Sequence, residues 1–141
     1  MARPDGPPIG LHLATTSKQV GRAFNRALGK SGGSVPVWLI LSSLKGERWR
    51  TQQDLARAVG IEGPTLTRHV DALERDGLVT RHRDTGDRRA VRVELTAAGE
   101  ALHADLLRAV IAFNRRLRRG LAEDDVAQLH ELLDRLASNV R

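Results

Sequence analysis

A mainly helical fold carrying one small β-hairpin (α+β) is predicted by three features of the sequence. Two short amphipathic segments meet at a tight turn around Gly60. A strand-like run at 78–83 and an alternating apolar and charged run at 90–95 flank the turn-rich Asp84-Thr85-Gly86-Asp87-Arg88-Arg89. Long amphipathic segments stand on either side of this unit. A helix-turn-helix followed at once by a hairpin is a winged helix, in which the hairpin tip lies beside the helix that faces a groove. The expected organisation is a disordered lead-in at 1–8 and a single domain at 9–141. Within that domain, 34–95 form the winged helix-turn-helix, and 9–33 plus 96–141 form the dimerisation helices.

Residues 1–8 are rich in Pro and Gly, which favours neither helix nor strand. From Ile9 to about Leu28, the apolar residues Leu13, Val20, Phe24 and Leu28 fall near helical spacing. Gly29-Lys30-Ser31-Gly32-Gly33 ends that helix. Gly-Lys-Ser superficially suggests a phosphate loop, but the position that must hold the first glycine of that motif is Phe24. Ser34 is placed to cap a second helix, with Pro36 in its first turn, where a missing N–H costs little. Trp38, Leu39, Ile40, Leu41 and Leu44 make this helix central to the core, and Gly46-Glu47 ends it. Arg48-Trp49-Arg50 is too short for more than an isolated strand or turn. Thr51-Gln52-Gln53-Asp54 pairs a hydroxyl N-cap with an acid at N3. The helix that follows points Leu55, Ala56 and Val59 inward and stops at Gly60, which suits the left-handed conformation. The next runs from about Gly63 or Pro64 to Asp76 on the stripe Leu66, Val70, Leu73, and Gly77 terminates it. Thr96 caps a helix reaching about Arg119, with Leu102, Leu106, Val110, Phe113 and Leu117 on one side. Gly120 breaks it. Glu123-Asp124-Asp125 then place acids where the helix dipole favours them. Val126, Leu129, Leu133, Leu136 and Val140 repeat at 3, 4, 3, 4 spacing, like a coiled-coil seam. These faces exceed what one small winged helix covers. Either they pack with helix 1 against a second copy, or they close on themselves as an intramolecular hairpin.

Composition narrows the function. The 141 residues hold no cysteine, which removes disulfides, thiolate metal sites, catalytic cysteine and thiol redox sensing. A net charge of +6 suits a polyanionic partner but is also ordinary for solubility. Divided along the chain, the excess lies entirely in residues 1–60; residues 61–95 and 96–141 are each neutral. Arg outnumbers Lys twenty to three, which suits phosphate contacts and equally reflects codon usage. Only Phe24, Trp38, Trp49 and Phe113 are aromatic, too few for a base-stacking platform. No apolar run approaches the roughly 18 residues needed to span a bilayer. The N-terminus lacks a signal-like apolar stretch, so a cytoplasmic location without membrane association is expected. His12, His69, His82, His103 and His130 share no i, i+3 or i+4 pairing, so neither a metal nor a cofactor is implied. No nucleophile triad or carboxylate pair stands out, and an enzyme is not expected.

Residues 9–140 resemble the MarR family of bacterial transcriptional regulators, and its SlyA-like branch in particular. The resemblance rests on Gln53–Arg68 as the helix-turn-helix, Val70–Val79 as the end of the recognition helix, and Asp84–Gly99 as the wing. It implies a homodimer of α1-α2-α3-α4-wing-α5-α6 protomers. It also implies a pseudo-palindromic operator in double-stranded DNA, with repression often relieved by a small phenolic or otherwise anionic ligand.

The early outward positions of the recognition helix are Pro64, Thr65, Thr67, Arg68 and His69. Arg68 can fork onto guanine O6 and N7; a phosphate clamp or a salt bridge to Asp71 or Glu62 competes with that role. For the threonines, a backbone contact competes with a thymine methyl. In the wing, Arg89 matches the family's minor-groove arginine, Asp87 the acid that orients it, and Arg88 a phosphate contact. Arg81, Arg83 and Arg92 read as ordinary hairpin charges. Arg115, Arg116, Arg118 and Arg119 suit a helix C-terminus without any partner. His12, Thr16 and Trp38 mark an effector pocket by the same resemblance, against core or surface roles. Leu13, Val126, Leu129, Leu133, Leu136 and Val140 mark the dimer interface. The rival reading is a winged-helix module that binds protein, favoured by the acids Glu62, Asp71, Glu74 and Asp76 and opposed by the basic wing tip.

Overall fold

The computed structural model describes residues 5–47, 50–86 and 89–141. Six helices and three strands occur among them: α1 (Ile9–Gly29), α2 (Val35–Gly46), β1 (Arg50–Thr51), α3 (Gln52–Val59), α4 (Gly63–Arg75), β2 (Val79–Arg83), β3 (Val91–Leu95), α5 (Ala97–Leu117) and α6 (Glu123–Asn139). No helix among the described residues is long and apolar enough to cross a membrane.

Local chemistry sets most boundaries. Ser34 Oγ accepts from the Val37 amide at 3.3 Å, and Thr51 Oγ1 from the Asp54 amide at 3.1 Å, so each hydroxyl satisfies a donor that its helix leaves open. Gly60 closes α3 at φ 68°, where a Cβ would be strained. Thr96 Oγ1 accepts from the Gly99 amide at 3.0 Å and opens α5. That helix ends at Leu117, which leaves Arg118 and Arg119 beyond it, and Leu117 itself is exposed.

Residues through Val110 form one compact unit and Ile111–Arg141 a second, the boundary falling within α5. The core of the first unit joins Leu28 of α1, Ile40, Leu41 and Leu44 of α2, Leu55 of α3, Leu66, Val70 and Leu73 of α4, Val79 and Val93 of the sheet, and Leu106 of α5. Every one of these helices therefore contributes an apolar stripe, and α4 turns its opposite side outward. The strand at Arg50–Thr51 is not isolated. It pairs antiparallel with β3, Arg50 opposite Val93, so the expected hairpin is part of a three-stranded sheet in the order β1-β3-β2. On the other side of β3, Val79 stands opposite Leu95 and Arg83 opposite Val91.

In the second unit, Gly120 turns the chain at φ 83° and the Ala122 amide donates to Asp125 Oδ2 at 2.8 Å, which starts α6. Along the α6 seam, Val126 and Leu136 are half-buried, whereas Leu133, Leu129 and Val140 are 37%, 47% and 85% exposed.

The tightest approach in the first unit lies at the start of α5. A Cβ on Gly99 would stand 2.0 Å from the Leu78 carbonyl oxygen, and backbone cannot yield as a side chain does. Gly99→Ala should lower stability by about 3 kcal/mol, measured by urea denaturation. Gly46→Ala, at the exposed end of α2 with open space around it, should leave stability unchanged or slightly raised.

Candidate nucleic-acid interface

The outward side of α4 follows from its inward stripe. With Leu66, Val70 and Leu73 buried, Pro64 and Arg68 are exposed, and Thr65, Thr67 and His69 are half-buried around them. Arg68 extends along the helix surface, with Nη2 3.5 Å from Thr65 Oγ1. The salt bridges considered for it do not form: among the described residues, no carboxylate of Asp71 or Glu62 pairs with Arg68, and Asp71 is engaged elsewhere. A guanidinium in this position keeps most of its donors available.

Thr67 behaves differently. Its hydroxyl donates to the Gly63 carbonyl at 2.9 Å and accepts from Gln52 Nε2 at 2.7 Å. The hydroxyl proton is thus spent inside the protein, and Thr67 acts first as a tie between the first residue of α3 and the first turn of α4. Sequence reasoning misses Gln52, which sits 15 residues away with nothing in its local pattern to mark it. Beside this tie, a groove of about 470 Å3 opens between α3 and α4, lined by Gln52, Gln53, Arg57, Gly63 and Thr67 among others.

The wing sorts its arginines. Arg81, on β2, places Nη2 2.6 Å from Asp71 Oδ1 and 2.9 Å from Glu74 Oε1, both on α4. This pairing holds the Glu74 carboxyl below its usual range and raises Arg81 further, the hydrogen bond between the two being the largest cause in each case. Arg92 lies 3.2 Å from Asp84, whose side chain also accepts from the Gly86 amide. The Asp84 amide donates to the Ala90 carbonyl at 2.9 Å and closes the hairpin. Arg81 and Arg92, read from sequence as ordinary hairpin charges, are thus neutralised by specific carboxylates, while Arg83 and Arg89 are exposed. Asp87 and Arg88 lie outside the described residues.

The three residues considered for an effector pocket fall in different settings. His12 and Thr16 are exposed on α1, whereas Trp38 is half-buried on α2. Trp38 stacks on His103 of α5, with ring centroids 5.1 Å apart and planes 15° from parallel. Lys45 and Glu100 form an ion pair at 3.5 Å between the same two helices. Burial, with a smaller contribution from Lys45, pushes the His103 pKa down against an opposing pull from Glu100. In the second unit, the Arg116 guanidinium lies 5.2 Å over the Phe113 ring, a local use for one member of that basic cluster.

A model of the MarR family matches residues 34–91. Among solved structures, the chain is similar to a point mutant of MarR from E. coli complexed with operator DNA, with a TM-score of 0.83 and 26% identity over 92% of this chain and 93% of that one. It is also similar to a probable transcriptional regulator from Pseudomonas aeruginosa, with a TM-score of 0.81 and 28% identity over 91% and 96% of the two chains. PcaV from Streptomyces coelicolor, in complex with its natural ligand, is covered over 100% of both chains with a TM-score of 0.83; at 24% identity that likeness concerns the fold. The winged-helix architecture, with its three-stranded antiparallel sheet, is the one these proteins share.

The depressed pKa of His103 has a sign that can be checked. Its proton is bound less tightly in the folded chain than in the unfolded one, so folding is penalised as pH falls through the ordinary histidine range near 6.5. The thermal midpoint should fall between about pH 7 and pH 5.5, and less steeply in His103→Gln. Equal slopes for the two proteins would show that His103 does not couple to folding.

Proposed function

We propose that this chain is a member of the MarR family and a dimeric, sequence-specific regulator of transcription that binds double-stranded DNA. The observation that carries the reading is the pairing of two surfaces within one unit. An exposed arginine stands on the outer side of α4, and a wing has its basal arginines neutralised and an exposed Arg89 near its tip. A helix of this kind fits the major groove and an arginine-tipped wing the narrow minor groove. The likeness to an operator-bound MarR supports the same assignment, and the motifs at 53–68 and 84–99 support the SlyA-like branch.

In this reading, Arg68 reads a base, and Pro64, Thr65 and His69 face the groove around it. Thr67 braces the helix through Gln52 and leaves its methyl to the DNA. Arg89 enters the minor groove, oriented by Asp87, with Arg88 on phosphate. The operator is pseudo-palindromic because the protein is a two-fold dimer. Residues 34–95 bind DNA, and 9–33 with 96–141 hold the dimer. The exposed Leu13, Leu129, Leu133 and Val140, together with Val126 and Leu136, form its apolar contact. The protein acts in the cytoplasm as a repressor, without catalysis, and is relieved by a small aromatic or anionic effector bound near His12, Thr16 and Trp38. The rival protein-binding reading is weakened, because Asp71 and Glu74 are both engaged by Arg81.

The test is selection of duplexes from a random pool by the purified protein, followed by titration with salt and with aromatic acids. Affinity for the selected duplex should fall steeply with rising salt. Failure to retain any duplex at low salt would refute the reading. Arg68→Ala should cost about tenfold in affinity and relax preference at one position per half-site. Equal losses on all sequences would make it a phosphate contact. Arg89→Ala should weaken binding to every duplex by about tenfold. Leu133→Asp should shift the protein from dimer to monomer in sedimentation velocity and abolish tight operator binding.

A further inference from the structure

We propose that Arg81 is a positioning residue for DNA recognition: by bridging Asp71 and Glu74 it sets the wing at a fixed distance from the recognition helix. The proposal rests on the DNA-binding reading above. One guanidinium nitrogen of Arg81 reaches both carboxylates, at 2.6 and 2.9 Å. The two acids sit three residues apart on α4, hence on the same side of the helix. Arg81 lies in the middle of β2, opposite Val93, a fully buried residue of β3. The bridge therefore grips the sheet at its anchored part, and the strands transmit that placement toward Arg89. The Arg81 side chain is 26% exposed and each acid is about half exposed, and one guanidinium holds two carboxylates, unlike the single pairs Arg57–Asp54 and Lys45–Glu100.

Two surfaces that must engage adjacent grooves at once bind well only when their spacing is set beforehand. The core fixes α4, and the hairpin ladder fixes the wing upon itself. Between the middle of β2 and α4, the bridge is a direct polar link. Its single positive charge also offsets one of the two negative charges that these acids place on α4.

These features give the proposal an unusual sign. Electrostatics alone predict that Asp71→Asn with Glu74→Gln, which removes two negative charges, tightens DNA binding. Loss of the bridge predicts weaker binding. The experiment measures affinity for a duplex selected by the wild-type protein from a random pool, using wild type, the Asp71→Asn/Glu74→Gln variant, Arg81→Met, Arg89→Ala and Arg81→Met/Arg89→Ala. Thermal midpoints confirm that each variant is folded at the assay temperature. The carboxamide variant and Arg81→Met should each bind about tenfold more weakly. Arg89→Ala should cost about tenfold in the wild-type background but less than about threefold once Arg81 is methionine, because a mispositioned wing has little left to lose. A merely structural role for Arg81 would leave the two losses multiplicative. Multiplicative losses, or unchanged or tighter binding by the carboxamide variant, overturn the proposal while the DNA-binding reading stands. Failure of the wild-type protein to select any duplex overturns both.

Discussion

The backbone at Gly77-Leu78 is the joint on which the first unit depends. Here α4 ends, β2 begins and the start of α5 is bound. The Thr96 amide donates to the Leu78 carbonyl at 3.1 Å, and the Thr96 hydroxyl donates to the Gly77 carbonyl at 2.7 Å. The absence of a side chain at Gly99 lets α5 close upon the Leu78 carbonyl. The end of a helix leaves carbonyls without partners in the helix, and here the threonine that caps one element satisfies those at the end of another. The recognition helix, the wing and the first turn of α5 are consequently registered to one another through backbone, which shifts far less readily than packed side chains.

Around that joint the apolar core orients the helices, and polar contacts refine their spacing. The stripe of Leu66, Val70 and Leu73 determines which side of α4 faces outward. The Gln52–Thr67–Gly63 chain then fixes α3 against the first turn of α4, while Arg81 fixes β2 against the second half of that helix. Each of these devices ties polar groups to one another within the fold. Arg68 and Pro64 on the helix and Arg83 and Arg89 on the wing are exposed, a small subset of the residues that the sequence places in this segment.

Much of this was legible in the sequence wherever a feature depends on neighbours within four residues. The caps at Ser34, Thr51 and Thr96, the turn at Gly60 and the buried stripes of α2 and α4 all report local chemistry. Features made by distant residues were not legible. Arg81 meets Asp71 and Glu74 only because the strand folds back along the helix, and Gln52 reaches Thr67 across a turn of unspecified angle. Trp38 and His103 are 65 positions apart and carry no shared pattern. The pairing of β1 with β3 is hidden for a related reason: a strand of two residues has too little sequence to show alternation. The α6 seam was legible as a repeat, but a repeat does not specify what covers it, and Leu129 and Leu133 are exposed.

The closure of the hairpin separates two properties of the wing that could have been linked. The Asp84 amide and Ala90 carbonyl seal the end of the β2–β3 ladder, so the register is complete without any contribution from the chain beyond them. Substitutions between those residues at constant length change what the tip presents, whereas a change of length would bear on the register itself, which loop length helps to fix. The chemistry of the tip is therefore a variable that can change at constant loop length while the strand pairing behind it stays the same.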